Sequence, residues 1–281
     1  MPALVFVLAG QTSVKERFRL FNIKLRPIEG NNAGAERGMV PGVVSSPPGR
    51  SPQTAQPVLF LAASNSAADL AQQRSMHELY SAMFQQLTAA IEFGFNLYRQ
   101  SAGLVDVVVK GPQAFGGRLQ GPDLDRLIIT APTVISWFGP KATMRDAVAK
   151  GLHQQWSKLA GSVRVPGLPW FPIFAAIPGP TAPPTPNVPT PFMQLTHDAG
   201  ATAPPVLKAA MRSILKGKFE YSDEFFESLA GGFDSALRVW KRTQMVKGVL
   251  GVGGVPNFAP PYVPVGPVVA GNILPGSHIN S

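Results

Sequence analysis

The stretch that decides the fold is YSDEFFESLAGGFDSALRVWKRTQMV at residues 221–246, which leads into GVLGVGGVPNFAPPYVPVGPVVAGNILPGSHINS at residues 248–281. In the first part, apolar residues recur at spacings of three and four, acidic residues come first and basic residues last. This pattern is typical of an amphipathic helix. The apolar stripe consists of Phe226, Leu229, Phe233, Leu237 and Trp240. The second part contains no Asp, Glu, Lys or Arg, and its prolines favour extended backbone. We therefore predict a helix followed by an extended arm.

A fainter copy of this pattern occurs earlier in the chain. A second apolar stripe with helical spacing precedes a segment that has no charged side chain from residue 165 to residue 196. The stripe consists of Met144, Val148, Leu152, Trp156 and Leu159. Trp156 corresponds to Trp240, and PNVPTPF at 186–192 corresponds to PNFAPPY at 256–262. The two segments predict a duplicated helix-plus-arm unit, and chance similarity between two proline-rich segments is the alternative.

The composition indicates a core that is small for the chain length. The 281 residues include 28 Gly and 29 Pro, and charged residues make up 15%, against about a quarter in typical domains. The absence of cysteine excludes disulfides, thiol nucleophiles and Cys-based metal sites. We predict an α+β fold with a mainly helical core, short strands and long extended Pro/Gly-rich arms.

Four segments are expected along the chain. They are 1–63 with N-terminal strands and an extended arm, 64–140 with a long helix and short strands, 141–204 with the first helix and arm, and 205–281 with helices and the C-terminal arm. The long helix should run from residue 64 to about 100, with Gly94 as a point of close contact. Short apolar runs predict strands at 3–9, 18–25, 58–63 and 104–109 and at one or both of 127–129 and 134–138, with loops around 113–119.

The chain start and the hydropathy pattern bear on location. The apolar run at 3–9 is short and follows no positive charge, so a buried strand is favoured over a signal peptide. No stretch reaches about 18 consecutive apolar residues, so we expect no membrane span.

The net charge of +9 raises nucleic-acid binding as an alternative. The basic residues are spread along the chain, and the aromatic residues cluster in uncharged arms and helix stripes. Nucleic-acid binding instead favours aromatic and basic side chains interleaved on one surface. A solvated basic face or an acidic protein partner is therefore the favoured interpretation.

The histidines and glycines of the sequence do not occur in catalytic, cofactor-binding or metal-binding patterns. None of the four histidines, His77, His153, His197 and His278, has a second ligand at metal spacing. The glycines at 251–254 precede proline and aromatic residues rather than a helix, unlike a phosphate-binding loop. We therefore predict a non-enzymatic protein with no catalytic, cofactor-binding or metal-binding residues and no small-molecule substrate.

The C-terminal pattern, from Trp240 through the glycines to PNFAPPYVPVGPV at 256–268, resembles tail segments of structural proteins of phages and of phage-tail-like contractile particles. The resemblance covers about 45 residues. It implies a virion or particle component that is made in the cytoplasm and works with copies of itself and other particle proteins. The alternatives are a basic nucleic-acid-associated or head-tail connector protein and, from another class, a tail-associated hydrolase.

The predicted partner-docking residues are the aromatic and apolar side chains of the two units. They are Trp156, Phe192, Trp240, Phe258, Tyr262, Val263 and Val265. Because the C-terminal arm lacks any pattern that could build its own core, we expect it to lie against a surface of its own domain or of a neighbour. We expect Phe258, Tyr262, Val263 and Val265 to contact another chain. A chain lacking residues 256–281 should then keep its helices and lose assembly.

Overall fold

The computed structural model describes residues 56–171, 181–217, 219, 222–254, 271–272 and 278–279, with the side chains of the first helix described from Glu78 onward. The helices are α1 Gln56–Ser101, α2 Leu124–Ile129, α3 Gly139–Ser162, α4 Pro204–Ile214 and α5 Ser222–Thr243. The strands are β1 Gly103–Lys110, β2 Gln113–Gln120, β3 Val165–Leu168, β4 Thr181–Pro186, β5 Thr190–Pro191, β6 Met245–Val246, β7 Leu250–Gly254 and β8 Gly271–Asn272. Short 3₁₀ helices span Phe192–Gln194 and Ala199–Thr202. The α+β class is confirmed.

The chain divides into two compact units. The described residues from Gln85 onward belong to one unit, and the part of α1 before Gln85 belongs to the other. Within the larger unit, α3 packs against α2, α4 and β2, and α4 packs against α5. The predicted four-segment division stays a prediction.

The predicted helical stripes form the core. In the part of α1 that belongs to the larger unit, Leu87, Ile91, Phe95 and Tyr98 are buried. Every predicted stripe residue of α3 and α5 is also buried. Gly94 is a close-contact point as predicted, since a Cβ there would lie 2.8 Å from Ile128 Cγ1. The 3.6-residue periodicity therefore identified the interior faces correctly.

The crossing of α3 and α4 depends on a glycine. A Cβ added to Gly151 would lie 2.9 Å from both the N and the Cα of Met211, and backbone atoms cannot move aside cheaply. We expect Gly151→Ala to lower the free energy of unfolding by about 1–3 kcal/mol through overpacking. Gly161→Ala in the same helix is the control, because open space surrounds that position and alanine is favoured there by about 0.5–1 kcal/mol. Urea denaturation of both variants tests this, and equal stabilities would contradict the close packing.

The main sheet has the order β3-β2-β1-β8, with antiparallel neighbours. The β1–β2 hairpin turns at Gly111, whose φ of 60° suits the first central position of a tight hairpin turn. The predicted strand at 104–109 is confirmed as part of β1. Two further two-stranded ladders, β4–β7 and β5–β6, join residues of the first predicted arm to residues that follow α5.

Three local predictions were wrong, and two others lie outside the described residues. Residues 58–63, predicted as a strand, are helical because α1 begins at Gln56. The expected loop at 113–119 is strand β2, in which Gly116 and Gly117 adopt positive φ. Residues 127–129 belong to helix α2, and 134–138 form turns rather than a strand. The predicted strands at 3–9 and 18–25 lie outside the described residues.

Candidate interaction site

The interior of the larger unit is organised around contacting aromatic rings, here called the Trp cluster. It consists of Phe95, Tyr98, Trp156, Phe192, Phe233 and Trp240. The two tryptophans meet edge-to-face with ring centroids 6.0 Å apart, and Phe192 lies 5.1 Å from Trp240. Such tilted and edge-to-face pairs are the favoured aromatic geometries. The cluster therefore connects α1, α3, α5 and the start of the 3₁₀ helix after β5.

Polar side chains lie beside the Trp cluster with few partners. Arg99 is 8% exposed, its Nη1 donates to Gln244 Oε1 at 3.4 Å, and its Nε has no hydrogen-bond partner in the described chain. Burial lowers the pKa of Arg99 and raises that of the Tyr98 phenol to about 12. The Tyr98 phenol therefore stays protonated at neutral pH.

The two predicted arms contact each other at a site that we call the arm junction. It comprises Phe171, β4, Asn187, β6, Val249 and β7. Asn187 is buried. Its Oδ1 accepts from Val249 N at 2.9 Å and its Nδ2 donates to Val246 O at 3.1 Å. Its own backbone N donates to Val249 O at 2.9 Å. One asparagine thus satisfies both backbone groups of Val249 and bonds the backbone carbonyl of Val246.

Glycine makes the arm junction tight. A Cβ at Gly251 would lie 2.7 Å from the Phe171 ring, so only glycine lets β7 approach that ring. Strands β4 and β7 pair from Thr181↔Gly254 to Pro186↔Leu250, with an irregularity between Ala182 and Thr185. The first and second arms therefore pack together within one chain, although the sequence offered no pairing pattern for either.

Removing the Asn187 side chain should weaken the arm junction. Asn187→Ala leaves the Val249 amide without its acceptor, and a buried unsatisfied group costs about 1–3 kcal/mol. We expect a fall of that size in the free energy of unfolding and faster hydrogen exchange at Val249. Thr185→Ala is the control, because its hydroxyl donates only locally, to Pro183 O. Unchanged exchange at Val249 in the Asn187 variant would contradict this role.

One end of the β4–β7 ladder adjoins two uncharged segments of the chain. Residues 172–180 directly precede Thr181, and residues 255–270 directly follow Gly254. Thr181 and Gly254 are register partners in the β4–β7 ladder. Both segments are free of charged residues. The β4–β7 ladder therefore brings the ends of these two uncharged stretches to the same point.

The end of the C-terminal arm belongs to the chain's own fold. Strand β8 pairs with Val108 and Val109 of β1. His278 is buried, and its Nδ1 accepts from Leu104 N at 2.9 Å while its backbone N donates to Ala102 O at 3.2 Å. For these residues, the surface that the arm lies against is therefore the chain's own domain rather than a neighbour. In the sequence, the only indication of this packing is His278 itself, a histidine in a tail that has no charged residues.

The structure brings three predicted docking residues together. Trp156, Phe192 and Trp240 are all buried in the Trp cluster. Phe258, Tyr262, Val263 and Val265 lie outside the described residues. The docking role of all seven stays a prediction, and so does the proposed duplication, whose second Pro-Asn segment is also outside the described residues.

A surface feature missed by sequence reasoning is an apolar tip formed by the exposed side chains of Ile135 and Phe138 and the half-buried side chain of Trp137. Phe138 is 86% exposed and Ile135 is 58% exposed. Two hydrogen bonds fix the loop that carries them. Thr133 Oγ1 donates to Gln86 O at 3.0 Å, and Arg145 Nη1 donates to Val134 O at 3.1 Å. The sequence predicts a strand at one or both of 127–129 and 134–138, and that prediction does not indicate that Ile135 and Phe138 are exposed.

Searches for similar proteins add no relative to this picture. The chain matched no family model, no curated protein and no solved structure. Among the described residues, no helix is long and apolar enough to cross a membrane. The same part of the chain contains no group of three acidic or histidine side chains suited to holding a metal ion.

Proposed function

We propose that this chain is a non-enzymatic structural protein of a virion or phage-tail-like particle, which docks to neighbouring subunits through its uncharged arms. The observation that carries the proposal is the arm junction, which anchors two charge-free apolar segments at one end of a single ladder. Apolar surface of this kind is a liability unless another surface covers it. The resemblance of residues 240–268 to particle proteins gives the proposal its virion setting.

The energetics favour a docked arm. Fixing one residue costs about 1–2 kcal/mol in backbone entropy, and proline lowers that cost because its φ is already restricted. Burial returns about 25 cal/mol per Å² of apolar surface. Residues 255–270 combine five prolines with Phe258, Tyr262 and several valines, so a neighbour that covers these side chains can offset the ordering cost.

The charge pattern supports protein partners over DNA. Basic side chains of the described chain form ion pairs with carboxylates, including Arg118 with Asp106, Lys208 with Glu227 and Arg238 with Asp234. Paired cations are less available to phosphates than a uniform basic surface would be. The connector alternative predicts tight, sequence-tolerant DNA binding at about 150 mM salt, whereas our proposal predicts weak binding that modest added salt abolishes.

An arm variant tests the proposal. Phe258, Tyr262, Val263 and Val265 are changed to Ser in the full chain, with the prolines and residues 271–281 kept. The matched control, Phe258→Leu with Tyr262→Phe, keeps the apolar surface. We expect the wild type and the control to sediment as one defined assembly that gives uniform particles in negative-stain images. The serine variant should sediment as a monomer that keeps the wild-type circular dichroism spectrum. A monomeric wild type, or an assembling serine variant, would refute the proposal.

A further inference from the structure

The C-terminal strap, which we define as strand β8 and residues 278–279, is held by a hydrogen bond that depends on protonation. His278 Nδ1 accepts from Leu104 N at 2.9 Å, and the His278 side chain is 1% exposed. Nδ1 can accept only while it carries no proton, whereas a protonated imidazole has an N–H group at both nitrogens. Protonation of His278 would therefore deprive a buried amide of its acceptor and place a charge in a buried site, and both effects oppose binding of the strap.

The charges beside His278 on the side of α1 are positive. The backbone N of His278 donates to Ala102 O and its backbone O accepts from Lys247 N, both at 3.2 Å. Arg99 lies three residues before Ala102 and is a second cation, whereas Glu92 lies ten residues before it, about 15 Å along a helix. The cations of these neighbouring segments make a further positive charge on His278 unfavourable.

The strands next to the strap do not supply a free carboxylate either. Strand β1 carries Asp106 and Lys110, which are both exposed, and Asp106 forms an ion pair with Arg118 of β2. Strand β7, which packs against β8, has the sequence LGVGG and no titratable side chain. Within the described residues of these strands, the one carboxylate is therefore on the exposed side of β1 and already paired.

The two other histidines with described side chains have different bonds. His153 Nδ1 also accepts from a backbone amide, but the ring is half-buried and lies 3.9 Å from an Asp125 carboxylate oxygen that can pair with the charged ring. His197 Nδ1 lies 3.1 Å from Leu195 O, and only a donor nitrogen can bond a carbonyl. Burial lowers the pKa of His197, yet protonation leaves its bond intact. Among these three histidines, a fully enclosed acceptor nitrogen is specific to His278.

We propose that protonation of His278 in mildly acidic solution releases the C-terminal strap from β1. An unperturbed imidazole takes up a proton below about pH 6.5, so the released strap gains a proton that the bound strap cannot hold without losing its bond. By proton linkage the bound strap is stable above that pH and is lost progressively as the pH falls below it. Release uncovers the edge of β1 at Val108 and Val109, and an unpaired strand edge can pair with a strand of another chain. The inference does not depend on the proposed assembly function.

Hydrogen exchange at the Leu104 amide tests this release. Exchange is followed by NMR on the full chain at pH 7 and pH 5, at one protein concentration and with correction for the intrinsic pH dependence of exchange. Because one proton is linked to release, protection of Leu104 should fall by about thirty-fold at pH 5, which is about 1.5 units below the ordinary pKa of histidine. The Val249 amide donates to the Asn187 side chain, which does not titrate, so its protection should stay constant and serves as the internal reference.

A variant separates the titration from the hydrogen bond. His278→Asn keeps an acceptor oxygen near the position of Nδ1 and cannot be protonated, so protection of Leu104 should be the same at both pH values. His153→Asn is the matched control, because His153 Nδ1 likewise accepts from a backbone amide, that of Leu124. This control should keep the wild-type loss of protection at Leu104.

The outcomes decide for or against local release. Equal protection of Leu104 at both pH values in the wild type, or an equal loss in His278→Asn, would overturn the inference. Simultaneous loss of protection at Val249 would show unfolding of the larger unit instead of release of the strap. If the asparagine variant already lacks protection at pH 7, NMR titration of the His278 ring in the wild type decides, because a ring that is protonated while Leu104 stays protected contradicts the coupling.

Discussion

Truncation of the chain after Ala270 is expected to destabilise the fold by about 4 kcal/mol or more. Removal of a buried Ile side chain such as Ile279 costs about 2–5 kcal/mol, and loss of the His278 acceptor leaves the buried Leu104 amide unsatisfied at about 1–3 kcal/mol. Strand β8 and its pairing with β1 are lost as well. Guanidinium denaturation followed by circular dichroism measures the change.

Two variants locate the source of that loss. His278→Ala should reproduce the part that comes from the hydrogen bond, and Ile279→Ala the part that comes from apolar burial. The arm-serine variant, which keeps residues 271–281, should be as stable as the wild type at a protein concentration at which both are monomeric. A truncated chain that unfolds at the wild-type denaturant concentration would show that the last residues contribute nothing to the core.

Substitution of Trp240 is expected to have the second large effect. Its ring is buried between Trp156 and Phe192, so Trp240→Ala should cost about 3–5 kcal/mol through lost burial and cavity formation. Trp240→Phe should cost clearly less, because the Trp240 Nε1 has no hydrogen-bond partner in the described chain and phenylalanine keeps most of the ring contact.

A double-mutant cycle tests the contact between the two tryptophans. Leu substitutions at 156 and 240, singly and together, should show a coupling energy of about 0.5–1.5 kcal/mol for the edge-to-face pair. The Leu exchange at Phe171 combined with that at Trp240 is the control, since Phe171 lies in the arm junction. Strict additivity of the 156 and 240 exchanges would show that the rings contribute only through area.

The helical core could be predicted because its information is local. The stripes of α3 and α5 follow the helical period, and each has one buried face. Prediction failed where glycines or a short apolar run were compatible with more than one type of secondary structure. Glycines at 116 and 117 were interpreted as loop residues, yet a Cβ at Gly117 would lie 2.5 Å from Val107 Cγ2, so glycine is needed inside that hairpin. The apolar run at 58–63 was too short to separate strand from helix.

The arm junction could not be predicted because its partners are distant in sequence. Asn187 bonds to residues about sixty positions away, and proline-rich segments have no alternation that would reveal a strand pair. The same limit applies to Phe138, since an apolar run alone does not show whether a side chain faces the core or solvent. The sequence therefore predicted that the arms matter for binding but not that they are joined.

Hydrogen–deuterium exchange of residues 255–270 at different protein concentrations tests the central claim most directly, because it separates docking on a neighbour from packing within one chain. We predict that the non-proline amides of this segment are protected in the concentrated, assembled protein and lose that protection on dilution to the monomer, while Leu104 and Val249 stay protected throughout. Protection that is independent of concentration, or absent at every concentration, would contradict the account.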